Sequence, residues 1–426
     1  MYCIRNLAAG ARALAVAAFA FGLGLGFGGG VPAQAADPIK LGFGMALTGG
    51  LAGNGKAALL AMQIWAEDVN AKGGLLGRKV ELVYYDDQSS PAAVPGIYTK
   101  LLEVDKVDLV VSGYATNQVA PAMPIVMQRG MVFLGLFALA INEQFNYPNY
   151  FDIQPTGPNG KVELSRGFFE LAMAQQPKPQ TVAIVAADAE FAKVAAEGAR
   201  ENIKKSGLKI VYDKTYPPAT VDYSPVVRAL MATNPDIVFA ASYPPDTAGL
   251  VRAANEVGLK VKAFGGAMVG LQFAGLKTQL GPLLNGIVDF DYYVAEPTLN
   301  FPGIVAFVKR YQEKAAGAGV DPLGFYLPPF AYAEGQVLAQ AVEAIGGLDQ
   351  AKLGEYIRKS TLHTIVGEIK FADNGEWATP RVLQIQYQSI KGNDLDQFKK
   401  PGTQVIVFPP EFTSGTYQYP YADIKR

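Results

Sequence analysis

Residues Ile39–Asp87 read IKLGFGMALTGGLAGNGKAALLAMQIWAEDVNAKGGLLGRKVELVYYDD. The apolar run IKLGFGMAL has the composition of a buried strand. In the helical run over 54–71, Ala58, Ala61, Trp65 and Val69 stand at i, i+3, i+7 and i+11, one apolar stripe. Gly73-Gly74 ends that helix, and KVELVYYD follows as a second strand. Strand, helix and strand at this spacing predict a right-handed βαβ unit, the start of a parallel sheet. The turn between the first two elements is TGGLAGNGKAA, residues 48–58. Counted from Gly50 it spells G-x-x-x-x-G-K, followed by Ala57 where a phosphate-binding loop carries Ser or Thr. Alanine cannot ligate Mg²⁺, so the stretch reads as the rim of a ligand cleft whose glycines admit close backbone approach.

The alternation continues. VDLVVSG and MVFLGLF are strands, with helices over 91–104 and 117–129. After the irregular INEQFNYPNYFDIQPTGPN comes a second series of strands, TVAIVAAD, LKIVYDKTY, PDIVFAAS and VKAFGGA. Its helices fall near 159–175, 190–206, 224–233 and 245–257. NGIVDFDYYV is a further strand, followed by helices over 301–318, 329–346 and 349–360. HTIVGEIKF and RVLQIQYQ are then strands on either side of an Asn374-Gly375 turn. The tail VIVFPPEFTSGTYQYPYADIKR, rich in Pro and Tyr, is expected to pack on a lobe surface. The predicted fold is α/β, two doubly wound Rossmann-like lobes joined by a three-strand hinge. One lobe takes 36–153 and 290–366, the other 154–289 and 367–426.

Residues 1–35 read as a secretory signal: Arg5 and Arg12, an apolar core over 13–27, and Ala33-Gln34-Ala35 as an A-x-A cleavage site. Residues 36–426 then carry a net charge of −3 and no basic block, which argues against nucleic acid as a partner. The single cysteine, Cys3, lies in the leader, and His363 is the one histidine. A Cys/His metal site or a Ser-His-Asp triad therefore lacks raw material, and neither metal nor cofactor is expected.

The opening stretch, with its LTG loop, VNAKGGLLGRKVELVYYDD and the later TAGLVRAANEVGL, resembles the type I periplasmic solute-binding proteins. It looks like their leucine/isoleucine/valine and amide branch, over about 39–390. The resemblance implies a Venus-flytrap receptor in the periplasm. It would bind one small molecule between two lobes and present it to the permease and ATPase subunits of an ABC importer, as a monomer and without catalysis. It also implies site residues. A ligand carboxylate would meet the loop of Tyr114, Ala115 and Thr116, and the backbone N–H groups of Ala138 and Leu139. Asn54 would point into the cleft. Phe137, Phe191, Tyr243, Met268 and Tyr326 match pocket-lining positions. The glutamate that holds an ammonium in amino-acid binders falls at about Ala267.

An ammonium buried without an acid costs several kcal/mol. The expected ligand is therefore a small carboxylate with an aromatic or apolar body, benzoate- or hydroxycinnamate-like. Asp246 or Glu190 in place of the missing acid would favour the alternative, a branched-chain amino acid or amide. A secreted hydrolase using Asp86-Asp87 or Asp289 with Asp291 is the rival from another class.

Overall fold

The computed structural model describes residues 37–426; the expected secretory signal lies outside them. Five strands form the first sheet: β1 (Ile39–Met45), β2 (Val80–Asp86), β3 (Leu109–Tyr114), β4 (Phe133–Leu136) and β5 (Tyr150–Asp152). Their order is β2-β1-β3-β4-β5, and all are parallel. The second sheet begins with β6 (Thr181–Ala187), β7 (Lys209–Tyr216), β8 (Ile237–Ser242), β9 (Ala263–Met268) and β10 (Val288–Asp291). A short hairpin follows, β11 (Leu362–Thr364) with β12 (Gly367–Ile369). The second sheet is then completed by β13 (Leu383–Tyr387) and β14 (Gln404–Phe408), in the order β14-β13-β10-β9-β8-β6-β7. β13 and β14 run antiparallel to their neighbours.

Helices α1 (Ala52–Ala71), α2 (Val94–Glu103), α3 (Thr116–Gln128) and the short α4 (Asn142–Phe145) belong to the first series. The second has α5 (Gly160–Met173), α6 (Glu190–Ser206), α7 (Ser224–Met231), α8 (Pro244–Val257) and α9 (Ala274–Leu280). After β10 come α10 (Ile304–Ala315), α11 (Pro328–Ile345) and α12 (Gln350–Lys359). The predicted stripe of α1 is its inner face: Ala58, Ala61 and Trp65 are buried and Val69 is half-buried. Trp65 lies on Gly335 of α11, where a Cβ would come within 2.3 Å of the indole. That close fit fastens the later helices to the first lobe.

Four expectations need correction. INEQFNYPNYFDIQPTGPN is not wholly irregular: it holds α4 and the edge strand β5, whose three residues are too few to show a period. HTIVGEIKF is a tight hairpin, since Gly367, at φ +92°, turns the chain back so that Thr364 pairs with Gly367. The tail does more than coat a lobe, because Gln404–Phe408 adds an outer strand to the second sheet before Pro409 and Pro410 end it. The lobe exchange points move as well. Pairing holds the chain in the second sheet to Asp291, past the expected 290. Residues 371–376 pack against the edge of the first sheet, with Phe371 on Phe151 and the Asp152 N–H donating to the Gly375 carbonyl, so the return falls beyond 367.

Candidate functional site

The turn after β1 is organised by a carboxylate. Asp86 accepts from the N–H groups of Leu47, Thr48 and Gln88 and from the Thr48 hydroxyl. Burial opposes its ionisation, but these bonds together hold it below its ordinary value. Ser89 donates to the Thr48 carbonyl and accepts from the Leu51 N–H, closing the turn. Lys56 points outward and is exposed. The loop therefore has the frame of a rim and no lysine turned inward.

Parallel strands of both sheets end facing one another, the usual position of a ligand in such sheets. Between them a cavity of about 10 Å³ is lined by Tyr114, Ala115, Thr116, Phe137, Gln154, Phe191, Tyr243, Val269 and Tyr326. That is room for about one water. The lobes meet across it. Asn117 Oδ1, on the first, accepts from the Tyr243 hydroxyl at 2.9 Å, and that hydroxyl accepts from the Phe191 N–H at 3.1 Å. The arrangement is a closed one.

Two cavity residues have left-handed backbone without being glycine: Ala115 at φ +88° and Phe137 at φ +62°. Such strain, which the fold must offset elsewhere, collects at binding sites. Phe137 is held by rings on three sides, with Tyr292, Tyr326 and Phe330 centred 4.9, 5.1 and 5.1 Å away.

Of the residues expected at the site, Tyr114, Ala115, Thr116, Phe137, Phe191, Tyr243 and Tyr326 come together in this lining. Asn54 stands one layer back, its amide donating to the Tyr114 hydroxyl at 3.2 Å. Ala138 and Leu139 do not offer their N–H groups to the cavity. The first donates to Asp152 Oδ2 and the second to Thr116 Oγ1, both at 3.1 Å. Ala267 and Met268 are also absent from the lining: they are buried at the end of β9, and the Met268 N–H donates to Asp289. The residue reaching the cavity from this strand end is Val269, one position past Met268. Gln154 and Asn117 were not anticipated. Gln154 lies on the first crossing between lobes, where no periodicity marks a direction, whereas Asn117 follows Thr116 in the helix start and was within reach of that loop's reading.

Among the described residues no charged side chain lines the cavity. Burial pushes the Tyr114 phenol up to about 12 and raises those of Tyr243 and Tyr326 too, so all three stay protonated at neutral pH. Thr116 Oγ1 accepts from Leu139, which leaves its own hydrogen free to donate. Beyond Tyr243 and Asn117 lies an outer chamber of about 230 Å³, reached by Gly50, Ser89, Pro245 and Asp246. Asp246 accepts there from the Tyr216 hydroxyl and the Tyr243 N–H. Glu190 is exposed. The carboxylates of the hydrolase reading are placed elsewhere: Asp86 frames the turn, and Asp289 and Asp291 are buried in β10. Among the described residues no group of His, Cys, Asp and Glu could hold a metal ion.

Comparison with known proteins adds the family. Residues 38–388 match the family model described as periplasmic binding protein. A curated relative, Leu/Ile/Val-binding protein homolog 7 of Brucella abortus (strain 2308), is 25% identical over 375 residues, covering 85% of this chain and 92% of its own length. A leucine binding protein from Thermotoga maritima MSB8 shares the fold with a TM-score of 0.73 at 19% identity, over 83% of this chain and 97% of that one. A solute binding protein of an ABC transporter from R. palustris, solved in complex with 4-hydroxybenzoate, does so with a TM-score of 0.72 at 20% identity, over 84% and 94%.

Proposed function

The chain belongs to the periplasmic binding protein family, and on that premise we propose that its interlobe cavity takes a small carboxylate with an aromatic or apolar body. The ligand class is that of benzoates and hydroxycinnamates. The chain would deliver it, as a monomer in the periplasm, to the permease of an ABC importer. One observation carries this reading: Tyr114, Phe137, Phe191, Tyr243 and Tyr326 wall the cavity, and no acid is present to meet an ammonium. The polar end has a place at the start of α3, where Thr116 offers a hydroxyl and the helix dipole favours negative charge. Rings on the remaining walls suit a flat body at offset or edge-on contact. Because the closed cavity holds about 10 Å³, the ligand enters with the lobes apart and the Tyr243–Asn117 bond broken.

The same geometry weighs against an α-amino acid. Its ammonium would be buried among rings at a cost of several kcal/mol, about a thousandfold in affinity. Asp246 keeps that alternative open, since it lies in the adjoining chamber just beyond Tyr243. Calorimetric titration with 4-hydroxybenzoate, p-coumarate and leucine separates the two. Micromolar binding of an aromatic acid with no heat from leucine is the expected result. Micromolar leucine with no aromatic-acid binding would reverse the assignment.

A further inference from the structure

The hinge holds a guanidinium without a counter-charge. Arg381 is 9% exposed, and among the described residues no carboxylate pairs with it. Its backbone N–H donates to the Pro155 carbonyl on the first crossing, and Nη1 donates to the Val366 carbonyl at 2.6 Å. The flat faces are covered by Phe301 and Trp377, whose ring centres lie 4.5 and 5.1 Å from Cζ. What is left over is one edge. Nε and Nη2 are both buried and have no hydrogen-bond partner, and the indole Nε1 of Trp377 is in the same condition.

That edge has a known complement within this protein. Arg200 uses the same two nitrogens to grip both oxygens of Asp213, at 2.8 and 2.9 Å. A fork of two parallel N–H donors matches the two oxygens of a carboxylate. Arg381 and Trp377 also line a recess of about 370 Å³, separate from the interlobe cavity. Thr361, Lys370 and Thr379 add donors to its wall, while Glu368 and Glu411, both exposed, are the acids on it. Buried donors left unpaired are costly, and three on two residues that line one recess leave an acceptor-only ligand as their complement once those side chains turn toward it. Burial draws the guanidinium down to about 9, a cost that a bound anion would relieve.

We infer that Arg381 and Trp377 form a second binding site, at the hinge, for a small free carboxylate. The carboxylate takes Nε and Nη2 of Arg381 on its two oxygens and the Trp377 indole N–H on one of them. The site stands independently of the ligand assigned to the interlobe cavity. The test titrates the purified protein with sodium acetate, and with sodium chloride at the same ionic strength, following Tm and tryptophan emission. Trp377 is one of only two tryptophans in the chain, so a contact at its indole is visible in that signal. The expected result is a saturable change in tryptophan emission, with a Tm that climbs with the logarithm of acetate and stands roughly 4 °C higher once acetate is about a hundredfold above its Kd. Arg381→Met abolishes the rise; Arg200→Met, and Thr116→Val in the interlobe cavity, retain it. An equal response to chloride, or a full acetate response in Arg381→Met, overturns the site. Should Arg381→Met fail to fold, Trp377→Phe keeps the ring and deletes one donor. Acetate affinity must then fall by about tenfold, and an unchanged affinity would equally overturn it.

Discussion

Glu334, in the middle of α11, has no exposure, and neither carboxyl oxygen has a hydrogen-bond partner. Burial, and then the nearby charge of Asp152, raise it well above its ordinary value. The folded protein therefore keeps this proton at a pH where the unfolded chain has lost it. The sign follows: above the unfolded value near 4.5 stability falls as pH rises, by up to about 1.4 kcal/mol per unit. Glu334→Gln, neutral at every pH, removes that loss. Chemical denaturation from pH 4 to 8 should show the variant gaining on the wild type as pH rises, and a constant gap would contradict a retained proton. At the cavity, Thr116→Val deletes the hydroxyl expected to face a carboxylate, and aromatic-acid affinity should drop by about tenfold. Thr116→Ser should recover most of it in the same calorimetric assay. Residues such as Thr116 and Tyr243 were legible through the resemblance, which matches them to loops joining a strand end to a helix start, where ligands of such sheets sit. Val269 was not, because one residue of register at a strand end decides which side chain enters a cavity and which turns into the core. The Ala138 and Leu139 N–H groups were misread for a different reason. Their acceptors, Asp152 and Thr116, lie 14 and 23 residues away and come near only in the fold.

The elements of the fold were legible wherever their period runs long. The apolar stripe of α1 and the buried runs of β1, β6 and β8 state their type within the segment itself. β5 and β14 were not legible, because three residues at a sheet edge and five beside prolines carry their meaning in partners, β4 and β13, far along the chain. The phosphate-loop pattern shows how an element reassigns a motif. Gly55, its second glycine, sits in the first turn of α1, where a Cβ would stand 2.0 Å from the Ala46 carbonyl oxygen. The glycine thus serves helix-on-strand packing. Gly55→Ala must lift α1 off β1 and should cost about 3 kcal/mol, an overpacking penalty at its upper end. Gly96→Ala on α2, where a Cβ meets nothing within 4 Å, should be neutral or slightly stabilising in the same denaturation series. Equal effects at the two positions would show that helix propensity, and not contact, governs them.

Across the whole molecule, closure depends on a small set of contacts between lobes. The Tyr243 hydroxyl donates to Asn117 Oδ1, and Phe273 lies against α1 where a Cβ on Gly53 would come within 2.7 Å of its ring. Three crossings join the lobes, and hinge closure about them is the motion this architecture favours. The Tyr243–Asn117 bond exists only when the lobes are together, so its free energy contributes to the closed state alone. Removing it by Tyr243→Phe should move the ligand-free equilibrium toward the open form by about fivefold, the worth of one hydrogen bond. Asn117→Ala removes the same bond from the other side, and the two single variants should match. The double variant should add little to either, because the shared interaction is already gone. Distances between spin labels placed on β2 and β7, one on each lobe, read the open fraction directly. Effects that sum in the double variant would mean that each residue holds the lobes through separate partners. In that case Asn117 has its own hold on the second lobe through the Phe191 N–H, which reaches Asn117 Oδ1 at 3.4 Å and is left in place by Tyr243→Phe.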